Sequence, residues 1–175
     1  MAEGAPEGRA AAGDDGRDGS DGRDGSDDRN DPDGTDDPVR VAFVCVQNAG
    51  RSQMAYAIAE RELAERGLES RVDLVTGGTR PADAVHEPVV QALGEVGIEV
   101  GDREPRAVTA EGLRDSDYVI TMGCSAEAAC PAGWAGENRD WDLPDPDGMP
   151  PAEVAALRED IADRVRSLLD EVLDA

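Results

Sequence analysis

Apolar residues are sparse and unpatterned up to position 38, and then begin abruptly. Val39-Arg-Val-Ala-Phe-Val-Cys-Val46 is a mainly apolar run rich in β-branched residues, the pattern of a strand buried on both faces. A glycine-containing loop follows. From Ser52 to Arg66, Met54, Ala55, Ile58, Ala59 and Leu63 recur at helical spacing, and Gly67 is placed to end that helix. Val72 to Val75 reads as a short strand. Pro88 to Val96, with Val89, Val90, Leu93 and Val96, reads as a second helix, and Asp117 to Met122 as another apolar strand. Pro151 opens a last helix in which Val154, Leu157, Ile161, Val165, Leu168 and Val172 return every three or four residues.

Strands alternating with helices imply crossover connections and a mostly parallel sheet covered on both faces, an α/β domain. In such sheets ligands bind beyond the carboxyl ends of the strands. Cys45 and Cys124 each stand just past an apolar strand, so the pattern allows them to share one rim. At 175 residues the chain can build one well-packed core and little more. We assign residues 39–175 to one catalytic domain and residues 1–38 to a tail. The tail holds eight glycines, thirteen acidic residues and four arginines, and carries Gly-Arg-Asp-Gly-Ser-Asp at 16–21 and again at 22–27. So little apolar surface cannot offset the entropy of ordering, and the tail is expected to be disordered. Calcium binding is the functional alternative, but the spacing matches no calcium loop.

Charge changes the picture of partners. Forty acidic residues against 17 basic ones give a formal net charge of −23, and every basic residue is an arginine. Such a chain repels nucleic acid and anionic membrane surfaces. No apolar stretch is long enough to span a bilayer, and the N-terminus lacks the basic and apolar regions of a secretory signal, so the expected location is the cytoplasm. Three cysteines do not form a secreted disulfide framework and point to reactive or buried thiols in a reducing compartment.

Chemistry concentrates at Cys45-Val-Gln-Asn-Ala-Gly-Arg-Ser52, where a cysteine and an arginine are separated by five residues between a strand and a helix. A loop of this kind, Val46, Gln47, Asn48, Ala49, Gly50, Arg51 and Ser52, can turn successive backbone N–H groups toward an anion, and the helix adds its positive end. Arg51 can grip two oxygens at once, which lysine could not reproduce. The same positive groups favour a nucleophilic thiolate at Cys45. Asn48 tolerates left-handed dihedrals and can brace the loop, Gly50 relieves a tight turn, and Ser52 is suited to cap the helix and donate toward the Cys45 sulfur. A cysteine that merely ends a core strand would leave Asn48, Gly50 and Arg51 unexplained together.

The sequence resembles the arsenate reductases built on the low-molecular-weight protein tyrosine phosphatase fold. The resemblance runs from about Val39 to the C-terminus and rests on Phe43-Val-Cys-Val-Gln-Asn-Ala-Gly-Arg-Ser-Gln-Met-Ala55, Gly77-Gly-Thr-Arg-Pro81, Val119-Ile-Thr-Met-Gly-Cys124 and Trp141-Asp-Leu-Pro-Asp-Pro-Asp-Gly148. It implies a three-layer α/β/α, Rossmann-like domain with a four-stranded parallel sheet. Gln53 resembles the reductase branch, where phosphatases usually carry proline. Position alone does not separate Asp142, Asp145 and Asp147; the match of Asp145-Pro146 to the family's Asp-Pro implies Asp145 as the acid for the leaving oxygen. Phosphatases of this fold usually carry aromatic residues after that Asp-Pro to wall a phenyl ring, whereas Asp147 and Gly148 stand here, which favours a small inorganic anion. Nothing in the sequence directs Tyr56 or Trp134 toward Cys45.

The resemblance also gives Cys124 and Cys130 roles: Cys45 attacks arsenate, Cys124 attacks the adduct to release arsenite, and Cys130 resolves the Cys45–Cys124 disulfide. No metal is expected, because two cysteines and the lone His86 fall short of a zinc site. No bound cofactor is expected either, only an external thiol reductant. Thioredoxin-coupled relatives commonly have six residues between the relay cysteines and this chain has five, which leaves a thioredoxin-like and a glutaredoxin-like partner both open. His86 precedes Glu87-Pro88 at the start of the second helix and is assigned a structural place. A monomer is expected, and a phosphatase acting on tyrosine or small aryl phosphates through Cys45, Arg51 and Asp145 is the alternative activity.

The acidic excess is spread through the whole chain and far exceeds what solubility needs, which favours adaptation to a cytoplasm of very high salt over a merely solvated face. Salt at that level screens the self-repulsion of the folded state. Thermal unfolding followed in dilute buffer and in about 2 M KCl should therefore show a higher midpoint in salt; equal midpoints would remove the high-salt reading.

Overall fold

The computed structural model describes residues 37–175. Apart from Asp37 and Pro38, the tail, its repeated hexad and its expected disorder lie outside the described residues. The elements are β1 (Val39–Cys45), α1 (Arg51–Arg66), β2 (Val72–Gly78), α2 (Glu87–Gly94), α3 (Ala110–Leu113), β3 (Tyr118–Met122), α4 (Ala126–Ala129), β4 (Glu137–Asp140) and α5 (Pro151–Asp174).

The four strands form one sheet in the order β2-β1-β3-β4, with every neighbouring pair parallel. β1 is central because its apolar run can be covered on both faces. Side chains alternate along a strand, and here the alternation divides two cores. Val41, Phe43 and Cys45 face the larger core, which takes its helical side chains from α1, α2 and α5. Ala42 and Val44 face a smaller one with Val119, Leu113 of α3 and Ala129 of α4. The result is the three-layer α/β/α arrangement with a four-stranded parallel sheet that the resemblance implied.

The periodic elements appear where the pattern put them, and the differences have physical causes. The last helix buries all six of its predicted core positions, from Val154 to Val172. Gly67 ends α1 in the left-handed region at φ 66°, while the N–H of Leu68 reaches back to the Leu63 carbonyl at 2.9 Å. β2 runs three residues past Val75, through Thr76, Gly77 and Gly78. A Cβ on Gly78 would stand 2.6 Å from the Val46 carbonyl oxygen, so only glycine lets β2 pass this close to the loop after β1. α2 begins one residue earlier and ends two residues sooner than its apolar spacing suggested. α3, α4 and β4 leave no hydrophobic period to read. β4 is polar throughout (Glu-Asn-Arg-Asp) because it is an edge strand held by backbone pairing to β3, with Arg139 lying over the Tyr118 ring at 5.4 Å. Ser52 does not cap α1: Gly50 holds the cap position without a side-chain bond, and Ser52 is the helix's second residue.

The register sets the site. Cys45 pairs with Gly78 on one side and Met122 on the other, so the carboxyl ends of β1, β2 and β3 are level and the loops leaving them meet at one rim. Phe43 lies fully buried beneath that rim, with the Trp141 ring 6.0 Å away. Phe43→Ala should lower the unfolding free energy by about 3–5 kcal/mol, the cost of removing a large core ring; denaturant titration in molar KCl measures it.

Candidate active site

The segment Val46–Gly50 leaves β1 and wraps into the N-terminus of α1. Its carbonyls are turned outward and held by the connection after β2. The Cys45 carbonyl accepts from the N–H of Thr79 at 3.1 Å, Val46 from Arg80 at 2.7 Å, Gln47 from Ala82 at 2.9 Å, and Ala49 from His86 at 2.8 Å. With the carbonyls pinned outside, the N–H groups of Gln47, Ala49 and Gly50 donate to no backbone carbonyl among the described residues. Together with the unpaired first N–H groups of α1, they form a concave donor surface suited to an anion.

Asn48 fixes this shape. Its φ of 51° makes it the one non-glycine residue in the left-handed region among the described residues. Its fully buried amide makes four bonds: Nδ2 donates to Ser52 Oγ at 2.9 Å and Thr76 Oγ1 at 2.8 Å, while Oδ1 accepts from Gln53 Nε2 at 3.1 Å and the Arg106 N–H at 2.9 Å. Thr76 in turn donates to the Phe43 carbonyl at 3.0 Å.

Cys45 lies at the floor, 3% exposed. Its sulfur accepts the Asn48 N–H at 3.1 Å and lies 2.8 Å from Ser52 Oγ. Because Ser52 Oγ already accepts from Asn48, its own proton is free to point at the sulfur, the arrangement that supports a thiolate. A cavity of about 280 Å³ opens above, with Cys45, Gln47, Gly50 and Arg51 on one side and His86, Gly123 and Asp145 around its mouth. Two larger clefts, each about 630 Å³, lie elsewhere and do not reach Cys45: one borders Tyr56 and Arg103, the other Trp134 and Tyr118. Neither Tyr56 nor Trp134 lines the anion cavity, and the Trp134 indole N–H is committed to the Ser116 carbonyl at 2.8 Å.

The Arg51 side chain is mostly buried, its guanidinium steadied by a 3.0 Å bond to the Leu143 carbonyl and lying 3.9 Å from the Asp145 carboxylate. Gly123, at φ 78°, packs against its other side; a Cβ there would come within 2.5 Å of the guanidinium. Asp145 is held in a turn by the N–H of Asp147 at 3.0 Å and leaves more than half its side chain in solvent. Of the three aspartates that position alone did not separate, Asp145, the one the resemblance implied, borders the cavity and the other two do not.

Cys124 begins one residue beyond the cavity rim, partly buried, its sulfur 3.7 Å from the Val44 carbonyl. Burial pushes its thiol above the usual range, and the nearby Cys45 and Asp140 charges push the same way. Cys130 follows α4, packs with Cys124 against the smaller core, and is also raised by burial. All three cysteines are free thiols. Sequence reasoning gave His86 a structural place, yet its ring lines the cavity and its Nε2 bonds Gln47 Oε1 at 2.8 Å. The missed signal was its position on the β2–α2 connection, which leaves the same sheet edge as the Cys45 loop.

Comparison with known proteins follows the same lines. The sequence pattern described as low molecular weight phosphotyrosine protein phosphatase matches residues 40–175. A protein of Halobacterium salinarum carrying an arsenate reductase assignment is 49% identical over 137 residues, covering 75% of this chain and 92% of its own. Among solved structures, a thioredoxin-dependent arsenate reductase of Corynebacterium glutamicum is 35% identical with a TM-score of 0.63, over 78% of this chain and 63% of that one. An arsenate reductase in a phosphate-binding state is 29% identical with a TM-score of 0.62, over 77% of this chain and 98% of that one.

Gly123→Ala should displace the Arg51 guanidinium and weaken binding of inorganic phosphate about tenfold or more, in line with losing one charge-assisted bond, and the strain of a side chain at φ 78° should lower the unfolding free energy by about 1 kcal/mol or more without preventing folding. Calorimetric titration with phosphate measures it, and unchanged affinity would show that Arg51 does not need this glycine.

Proposed function

The chain belongs to the low molecular weight phosphotyrosine protein phosphatase family, and from that footing we propose that it is an arsenate reductase whose catalytic domain spans residues 39–175. The observation that carries this reading is that one small cavity is lined by Cys45, Arg51 and Asp145, while a second thiol, Cys124, follows its rim residue Gly123 in sequence and lies 3.7 Å from the Val44 carbonyl, beside Cys45 in the chain. Phosphate ester hydrolysis needs the first three groups and has no use for Cys124 or Cys130.

In the proposed cycle the Cys45 thiolate attacks the arsenic of arsenate, which is held by the loop N–H groups and Arg51. Asp145 delivers a proton to the departing oxygen, which leaves as water. The Cys124 thiolate then attacks the Cys45 sulfur. The electron pair of the S–As bond goes to arsenic, reducing it from the +5 to the +3 state, and arsenite leaves as a Cys45–Cys124 disulfide forms. Cys130 attacks the Cys124 sulfur, which frees Cys45 and moves the disulfide to Cys124–Cys130. An external thiol reductant, a thioredoxin-like or glutaredoxin-like protein, takes that disulfide back to two thiols. The protein works in the cytoplasm, as a monomer, in arsenic detoxification.

The phosphatase reading keeps the same first step and ends with water cleaving a phosphocysteine. The cavity wall counts against it as the main activity: no phenylalanine, tyrosine or tryptophan borders the cavity, so a phenyl ring has no platform there. Slow hydrolysis of small aryl phosphates is a residual property of Cys45, Arg51 and Asp145.

Wild type and the three Cys→Ser variants, assayed on arsenate with thioredoxin and on an aryl phosphate in molar KCl, separate the readings. Cys45→Ser should abolish both activities, while Cys124→Ser and Cys130→Ser should each abolish multiple-turnover arsenate reduction and largely spare hydrolysis. Asp145→Asn should slow the first step by about 10²- to 10⁴-fold. Because the Cys124 thiol titrates above the ordinary range, arsenite release after the first capture should keep accelerating as pH rises through and beyond that range. Efficient aryl phosphate hydrolysis with no arsenite produced would overturn the reductase reading.

A further inference from the structure

The mouth of the cavity carries one titratable group that the proposed cycle does not use. His86 is the only histidine in the chain. Its backbone N–H ties the start of α2 to the Ala49 carbonyl at 2.8 Å, and the Nε2–Cδ2 edge of its ring faces the anion loop. Nε2 lies 2.8 Å from Gln47 Oε1, and Cδ2 lies 3.5 Å from where a Gly50 Cβ would stand. An amide oxygen can only accept, so Nε2 carries the proton of this bond. Nδ1 is therefore the nitrogen left with a free lone pair, and it lies on the ring edge away from the loop. Protonation at Nδ1 makes the ring a cation without breaking the Gln47 bond, so charge changes at the cavity mouth while geometry stays fixed.

The surroundings give that charge weight. Among the described residues, the charged or ionisable side chains sharing the cavity with His86 are Cys45, Arg51 and Asp145; on its own connection the charged residues are Arg80, which does not line the cavity, and Asp83, and Glu87 follows at the start of α2, accepting from Gln91 at 3.4 Å. Arg51 is the only fixed cation on the cavity wall, and Asp145 stands 3.9 Å from it. A doubly charged tetrahedral anion entering this space meets one positive side chain beside a carboxylate, in a molecule of net charge −23.

We propose that His86 is the second cationic group of the oxyanion pocket, a specificity-determining residue that, when protonated, raises the affinity of the pocket for a doubly charged tetrahedral oxyanion. This rests on the reading that the cavity binds an oxyanion, and it adds to the loop N–H donors and Arg51 a charge that pH turns on and off. The effect belongs to binding, because His86 touches none of the bonds that form or break in the proposed cycle. It therefore acts on the KM for arsenate and leaves kcat at saturation unchanged.

Sulfate is the probe, because its charge is constant across the neutral range and these thiols do not reduce it. Binding is measured by calorimetry between about pH 5.5 and 8.5, the span in which imidazole changes charge, at one fixed KCl concentration. Wild type should bind sulfate about three- to tenfold more tightly at the acidic end of this range than at the alkaline end, the scale of half to one unit of linked protonation. His86→Gln keeps a donor for Gln47 and cannot be protonated, so that gain should be lost. By reciprocity, saturating sulfate should move the titration midpoint of the single histidine resonance upward by the matching amount, and this measurement needs no variant. If the histidine midpoint does not move with sulfate bound, or H86Q keeps the wild-type pH dependence, the proposal is overturned. No sulfate binding at any pH overturns it together with the oxyanion pocket. Arsenate turnover is a separate readout: sulfate binding coupled to His86 without arsenite production would retain the inference and remove the reductase reading.

Discussion

The site depends on one buried amide. Asn48 sits in a backbone conformation that costs a side chain energy, and the four hydrogen bonds of its fully buried side chain hold it there. Those bonds tie together Ser52 and Gln53 in the first turn of α1, Thr76 on β2 and the backbone at Arg106. A buried polar side chain with every bonding position filled has no competing arrangement, so it specifies a single loop conformation. The left-handed turn at Asn48 brings its N–H onto the Cys45 sulfur, and the connection after β2 holds the loop carbonyls outside. The shape of the donor surface and the contact to the Cys45 sulfur thus follow from one constraint.

A strongly acidic chain can still hold an anion pocket because the donors act at contact distance. Backbone N–H groups and a guanidinium a few ångströms from a ligand are little affected by distant surface carboxylates, which salt screens. The same exclusive use of arginine shapes the exterior. Glu62, mostly buried between α1 and α5, is held by Arg66 at 3.4 Å and Arg166 at 2.9 Å, and the Arg158 guanidinium reaches the Glu95 carboxylate at 3.1 Å. Each such pair contributes little alone in water, but together they let two helices with many carboxylates pack side by side.

The two sides of the sheet divide the chemistry. Cys45 ends a strand on the face of the larger core, while Cys124 and Cys130 pack against the smaller one. Gly123 joins the two environments at the rim, where its positive φ and missing side chain leave room for Arg51. The cavity lined by Cys45 and Arg51 is polar, while the partly buried thiols of Cys124 and Cys130 on the other side are pushed above the usual range by burial. In the proposed cycle, capture of the oxyanion and transfer of electrons therefore draw on opposite faces of the sheet, which meet where Gly123 precedes Cys124.

The parallel α/β core was legible because burial forces apolar residues into strand and helix periods, as the run at Val39–Val46 and the repeat from Val154 to Val172 show. The loop chemistry was legible as well, since a cysteine, an asparagine, a glycine and an arginine at that spacing have few other uses together. β4 was not, because an edge strand held by backbone pairing imposes no hydrophobic pattern on Glu137–Asp140. Position alone left Asp142, Asp145 and Asp147 alike and the Asp-Pro resemblance pointed to Asp145; the tertiary structure supplied the contact, because one turn aims Asp145 to within 3.9 Å of the Arg51 guanidinium. It also decided the place of His86 and the need for Gly123, whose meaning lies in contacts with Gln47 and Arg51 across 39 and 72 positions of sequence. Local pattern records what a residue must be to fold; which distant groups it faces is settled when strand order brings the loops to one rim.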